Sequence, residues 1–329
     1  MAKVKQFKGY GNYKGILSGI DVARKEWAEA KDKKDYNGKS VYKSGAIAKI
    51  QLRLKTNHDN MIFLDLMEFL SKVGKDVILF NTEKGNKNQK KVKYADRYKY
   101  KVSDEDKKNG KHGFEVIGVR ARSGEEESVN LLPLDAIEYI LAKFKEGDSV
   151  FVGTQRSHSQ KGDKKYKSNE INRIFSTTEP VDFDAEDFEE VSDFQDTLVF
   201  DEIIELEDNE HLVTGKWLDW RGEFVDVDFV TLDEDIVAYL KELSYGAQLT
   251  VEGVAHNRVV YAEKQSDDEP EQGSNVIGKR PKSYQNNSAT REIVSEKKYD
   301  EICAITDVLE GAYEEEPSEL NEEVPPWMQ

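Results

Sequence analysis

One unit occurs twice in this chain, and it limits the possible folds more than any other feature. At 134–152, LDAIEYILAKFKEGDSVFV, the apolar residues Ile137, Ile140, Leu141 and Phe144 recur at helical spacing, Gly147 stands where a helix would stop, and Val150 to Val152 begins a strand. At 232–254, LDEDIVAYLKELSYGAQLTVEGV repeats the order, with Ile236, Leu240 and Leu243 as the stripe, Gly246 as the stop and Leu249 to Val251 as the strand. A glycine, Gly153 or Gly253, follows each strand. Upstream, FEVIGVRA at 114–121 is expected to correspond to HLVTGKWL at 211–218, each ahead of a turn at Gly124 or Gly222. Such a diverged repeat implies two domains built alike, and 329 residues suffice for two separate cores.

The remaining pattern is that of strands. Ile50, Leu52 and Leu54 alternate with polar residues, short apolar runs follow at Met61 to Leu66 and Val77 to Phe80, and alternation over Phe114 to Arg122 puts Arg120 and Arg122 on one face. Ile293, Val294, Ile302, Ala304 and Ile305 are expected to close the second sheet. This reading divides the chain into a basic N-terminal arm at 1–44 with a short helix over Asp21 to Ala30, a first domain at 45–178, an acidic linker at 179–193 that is either a free connection or a strap against one domain, a second domain at 194–306, and a disordered acidic tail at 307–329.

The formal net charge of -17 hides an asymmetry. Up to Thr178 there are 37 Lys and Arg against 24 Asp and Glu, so the two parts carry +13 and -30. A basic part of this size points to nucleic acid, and an acidic arm to a separate role. No run of apolar residues is long enough to span a membrane, and the basic N-terminus lacks an apolar block, so a soluble cytoplasmic protein without membrane contact is expected. Cys303 is the only cysteine, which excludes an intrachain disulfide and a cysteine-based zinc cage.

Motifs for catalysis are nearly absent, and the chain is read as a non-enzyme with no cofactor and no metal. Gly38-Lys39-Ser40 has the end of a phosphate-binding loop, but Lys33 stands where the loop needs its first glycine. His58, His112, His158, His211 and His256 lack ligand spacing and are expected on surfaces or in loops. Asp226 and Asp228 share one strand face, as in a two-metal nuclease, but a solvated acidic face fits them better. Trp217 and Trp220 are read as core.

Two basic stretches stand out. In EKGNKNQKKVKYADRYKYK at 83–101, Lys84, Lys87, Lys90, Lys91, Lys93 and Arg97 interleave with Tyr94, Tyr98 and Tyr100, combining cations for phosphates with rings for bases. In TQRSHSQKGDKKYKSNEINR at 154–173, Lys161-Gly162-Asp163-Lys164 reads as the turn of a long hairpin carrying Arg156, Lys161, Lys164, Lys165, Tyr166, Lys167 and Arg173. Arg53, Arg120 and Arg122 complete the expected DNA-binding set. The competing reading of either stretch is a solvated lysine-rich hairpin with its tyrosines packed on the core.

The run EGDSVFVG, preceded by two strands and a helix and followed by the basic hairpin KGDKKYKSNEINRIF, resembles part of the oligonucleotide-binding fold of bacterial and phage single-stranded DNA-binding proteins. It corresponds there to the last helix, fourth strand, connecting hairpin and fifth strand. The C-terminal segment resembles that family too: Glu314, Glu315, Glu316, Glu322 and Glu323, then Pro325, Pro326 and Trp327, look like its acidic partner-recruiting tip, although Met328 and Gln329 follow. The resemblance implies a mainly β protein of two five-stranded oligonucleotide-binding (OB) barrels, each with one prominent helix. It further implies coating of single-stranded DNA in phage replication or recombination, with replication or recombination proteins held by the tail and self-association as a further role. Rival readings are a protein-binding scaffold or virion component whose basic and acidic halves pair between subunits, an RNA binder, and a nuclease using Asp226 and Asp228.

Overall fold

The computed structural model describes residues 6–27, 45–70, 75–161, 164–206, 209–219, 221–243, 245–260 and 298–310. The chain is mainly β. Its first part runs through β1 (Gly9–Trp27), β2 (Gly45–Lys55), β3 (Met61–Phe69), β4 (Asp76–Asn81), β5 (Gln89–Lys93), α1 (Asp104–Lys108), β6 (Phe114–Glu115), β7 (Val119–Arg122), β8 (Val129–Leu131), α2 (Pro133–Lys143), β9 (Ser149–Lys161) and β10 (Lys164–Ser176). The second part has β11 (Val191–Glu205), β12 (His211–Leu218), β13 (Phe224–Thr231), α3 (Glu234–Glu242), β14 (Gln248–Val260) and β15 (Lys298–Glu310).

Each part closes into a ring of five strands. β1, β2 and β3 pair antiparallel in turn, β10 runs parallel to β3, and β9 joins β10 back to β1. β11, β12, β13, β15 and β14 repeat that circuit, again with one parallel pair, β13 to β15. A helix between the third and fourth ring strands completes the OB arrangement in both. Strict alternation builds the core, because every second side chain of a strand points inward. Thus Ile50, Leu52 and Leu54 of β2 and Ile62, Leu64 and Leu66 of β3 are buried. The helices end before the glycines expected to stop them, at the extended caps Phe144 and Leu243, and Gly147 (φ 91°) and Gly246 (φ 89°) take the left-handed region in the turns that lead into β9 and β14.

Three sequence expectations change. The segment 1–44 is more than an arm: Gly9 to Trp27 is the first ring strand, and Asp21 to Trp27, expected as helix, is strand. Its alternation is hard to see because glycines fill positions where another strand or side chain lies close. The counterpart of β12 is β2, not 114–121, which belongs to an insertion between β3 and α2; α3 follows β13 with no such insertion. The tail boundary at Asp307 falls inside β15, whose pairing with β14 runs to Glu310. Of the two readings of the acidic segment 179–193 the structure has the strap, docked on the turn between β2 and β3. There Thr56, Asn57 and Asn60 donate hydrogen bonds to the Glu190 carboxylate, and His58 meets Asp184 at 3.0 Å.

The barrels are joined edge to edge. β1 pairs antiparallel with β11 from Tyr10–Gln195 to Lys14–Val191, so one sheet continues from the first ring into the second. One apolar cluster spans both, from Phe7 and Tyr13 to Trp217 and Phe229.

Candidate nucleic-acid interface

On the outer face of that continuous sheet, strand register sets side chains in rows. One row runs Arg120, Arg173, Gly153, Asn12 and Asp193 across β7, β10, β9, β1 and β11. The next runs Arg122, Phe175, Phe151 and Lys14. Neighbouring members of a row sit about 4.8 Å apart, so cations and rings interleave on one surface. The Arg122 guanidinium lies 5.3 Å from the Phe175 ring centroid and Arg173 lies 5.2 Å from that of Phe151. Only a glycine allows the second contact, since a Cβ on Gly153 would come within 2.2 Å of Arg173 Nε. Arg173 also donates to Asn12 Oδ1 at 2.6 Å, while its Nε and that of Arg122 are buried without a hydrogen-bond partner. Tyr10, 44% exposed, lines with Asn12, Arg120, Arg173 and Phe175 a groove of about 550 Å³.

The groove changes sign at the junction. Beyond Tyr10 and Asn12 it continues into a second groove lined by Asp193, Glu252 and Val254 of the other barrel. Burial and the neighbouring Glu190 raise the Asp193 pKa above the ordinary carboxylate value. The cationic stretch therefore belongs to the first barrel alone.

The expected DNA-binding residues divide into four places. Arg120, Arg122 and Arg173 meet on the face just described. Arg53 is on the opposite side of the barrel, on β2 beside Asp21 at 3.4 Å, next to a Lys49–Asp65 ion pair. On the β9–β10 hairpin, Lys165, Tyr166 and Lys167 are exposed, with Lys165 bound to Asp228 of the second barrel at 2.7 Å. Lys161 and Lys164 are in register at its tip, and the turn between them lies outside the described residues. The hairpin is thus no free arm, because it rests on the other barrel.

Arg156 requires a correction. It is 2% exposed and sits between the barrels, with Nε 3.2 Å from Asp196 Oδ2 and further donations to Tyr13 Oη, Asn169 Oδ1 and Cys303 Sγ. A fully buried carboxylate needs such a partner, so the arginine is committed to the fold. His158, expected at a surface, also contacts Asp196 and packs 4.7 Å from the Trp217 ring; His211 is buried as well.

The fourth group, the lysine–tyrosine stretch, lies in the insertion, where β4, β5 and β6 form a small sheet over Leu79, Val92 and Val116. Its tyrosines are used internally. Asp135 of α2 accepts from Arg97 Nε at 2.8 Å and Nη2 at 2.7 Å, from Tyr98 Oη at 2.5 Å and from Tyr94 Oη at 3.5 Å. Burial pushes the Asp135 carboxyl up, but these donors outweigh it and hold it below its ordinary value; burial and Asp135 raise Tyr98. Lys90 sits 3.5 Å over the Tyr100 ring. Lys84, Lys87, Lys91 and Lys93 are exposed, the last two facing Asp76.

Asp226 and Asp228 do not converge. Each faces a lysine, Lys216 and Lys165, and no group of three or more His, Cys, Asp or Glu that could hold a metal occurs among the described residues. Trp217 is buried in the core, as expected. Trp220, Ile293, Val294 and the tail residues Glu314, Glu315, Glu316, Glu322, Glu323, Pro325, Pro326 and Trp327 lie outside the described residues. Sequence reasoning missed Tyr10, Asn12, Lys14, Phe151 and Phe175. The period-2 spacing of Tyr10, Asn12 and Lys14 was the available signal for β1, and Phe151 and Phe175 flank the hairpin that was already singled out.

No curated protein matches the sequence. Two crystal structures of the single-stranded DNA binding protein from Thermus aquaticus are similar. A deletion mutant is 9% identical over 95% of this chain and 99% of that one with a TM-score of 0.39, and the wild-type protein is 9% identical over 93% and 94% with a TM-score of 0.37. The model of the YorF family matches residues 133–322, which include α2 and every later described element. That is more than half of the sequence, and the chain belongs to the YorF family.

Proposed function

We propose that this protein binds single-stranded DNA on the first barrel and coats it without acting on it chemically. The observation that carries the reading is the pair of register rows that interleave Arg120, Arg122, Arg173 and Lys14 with Phe151 and Phe175. A single strand offers phosphates and unstacked bases together, and a surface of this kind meets both: cations release counterions from the backbone, and rings stack bases at about 1–3 kcal/mol each. Roles in replication or recombination, in phage or elsewhere, and recruitment of partner proteins by the acidic C-terminal residues belong to the same proposal. They rest on the sequence pattern.

Fluorescence anisotropy with oligo-dT, blunt duplex and oligo-U, each over a range of salt, tests it. Oligo-dT is expected to bind best, with log affinity falling against log salt at a slope of about -2 if three arginines each neutralise one phosphate. Arg122→Ala with Arg173→Ala should weaken binding at least about tenfold and flatten the slope by about 1.4. If that pair changes nothing while Arg53→Ala abolishes binding, the strand lies on the β2–β3 side instead. Preference for oligo-U would make RNA the ligand.

A further inference from the structure

The insertion between β3 and α2 is basic in a different way from the barrel. Residues 75–114 hold twelve Lys and Arg against six Asp and Glu. Among the described residues Lys84, Lys87, Lys99, Lys101 and Lys108 make no ion pair, whereas Lys91 and Lys93 face Asp76 and Lys111 faces Asp106. Backbone hydrogen bonds gather the segments that carry several of these unpaired lysines. Thr82 N donates to Gly113 O at 3.0 Å and Phe114 N to Tyr100 O at 3.0 Å, which brings the 82–88 turn beside residues 99–101. The rings here are tied into the fold: Tyr94 and Tyr98 bond Asp135, and Tyr98, Tyr100 and Phe114 pack on the small core of Leu79, Val92 and Val116.

We propose that the insertion is a docking surface for duplex DNA, so that the protein is suited to junctions where a single strand leaves a duplex. The proposal rests on the reading that the barrel takes the single strand. A duplex hides its base faces and shows a dense line of phosphates, one charge per about 1.7 Å of axis, so a surface that grips it needs cations and no free ring. A single strand also needs stacking partners, which the barrel face has in Phe151 and Phe175, whereas Tyr94, Tyr98 and Tyr100 of the insertion are held by Asp135 and the small core. The two surfaces adjoin. Arg120 lines the barrel groove and also a groove of about 420 Å³ against the insertion, beside Asn81, Asn130 and the Lys107–Glu115 ion pair, so one nucleic acid can pass from the first surface to the second.

The experiment measures the affinity of the full chain for oligo-dT, a blunt duplex, and the same duplex carrying an oligo-dT tail. The tailed duplex is expected to bind about tenfold tighter than either part alone, as two linked contacts do. Replacing Lys84, Lys87, Lys99 and Lys101 together by Ala should bring the tailed duplex down to the level of oligo-dT and leave oligo-dT itself within about twofold. Among the described residues these side chains make no hydrogen bond or ion pair, so the far-ultraviolet circular dichroism should not change. Equal binding of oligo-dT and tailed duplex by the unaltered protein overturns the inference, and so does an equal loss on both ligands in the variant. Failure of the unaltered protein to bind oligo-dT at all would instead overturn the single-strand reading on which it stands.

Discussion

Arg156 lies on β9 in a stretch where every neighbouring cation suggests phosphate, yet it ends against Asp196 in the seam between the barrels. Two facts hidden from a sequence reader decide this: the alternation phase that turns position 156 inward, and an aspartate forty residues on that β11 brings opposite. Removing one partner of a buried pair leaves the other charge uncompensated, which costs about 3–5 kcal/mol, whereas an apolar replacement of both is close to neutral. Arg156→Met is therefore expected to lower stability by about that amount in urea unfolding, and Arg156→Met with Asp196→Leu to recover most of it. Arg156 also lies 5.0 Å over the Phe194 ring, and a double variant no better than the single would show that it acts by this packing and not by charge. The pair also sets a pH dependence. Burial pushes the Asp196 carboxyl up, but Arg156 and His158 outweigh this and hold it below 3.8, so its contribution is complete above the unfolded-state value and is lost as pH falls through the folded one. Acid unfolding below about pH 3.8 should thus be shallower in the double variant.

Elements were legible in the sequence wherever local chemistry set them. The helical stripes and the turns at Gly147 and Gly246 needed nothing beyond their own segments; both glycines have positive φ, although each lies in the turn after its helix and not at the helix end. No atom lies within 4 Å of a Cβ placed on either, so Gly147→Ala and Gly246→Ala isolate the backbone effect. Each is expected to cost about 1–2 kcal/mol, read as a lowered melting temperature with the barrel strands otherwise unchanged. An unchanged melting temperature would mean that the turn relaxes out of the left-handed region. β1 was not legible, and the reason is tertiary. A Cβ on Gly9 would come within 1.9 Å of Asp196 Oδ1, so close approach of the second barrel calls for the glycine that makes the segment look like an arm. The insertion shows a related limit. Its tyrosine–lysine interleaving reads as a stacking surface, and only the position of Asp135 on α2 reveals that the rings are anchors.

For the whole molecule, the duplication and the charge asymmetry were both visible in the sequence, and the structure relates them. The break at Thr178 falls just after β10 closes the first ring, so the change of sign along the chain becomes a change of sign across one continuous sheet. How tightly the two rings join was not visible, because it depends on β1 pairing with β11 and on side chains that each ring sends into the other. Trp217 of the second barrel shows the join well: it is fully buried, with Phe7 at 6.3 Å and His158 at 4.7 Å, both from the first-barrel part of the chain. Two domains linked only by a flexible segment unfold separately, but rings that share a core and a sheet have no inexpensive way to part. Urea unfolding followed by circular dichroism, which both barrels dominate, and by tryptophan fluorescence should therefore give a single coincident transition. Arg156→Met removes the ionic part of the join, and two separated transitions in that variant would show that the buried pair couples the barrels. Two transitions already in the unaltered protein would mean that the shared strand pairing and the Trp217 contacts are too weak to make the two rings one cooperative unit.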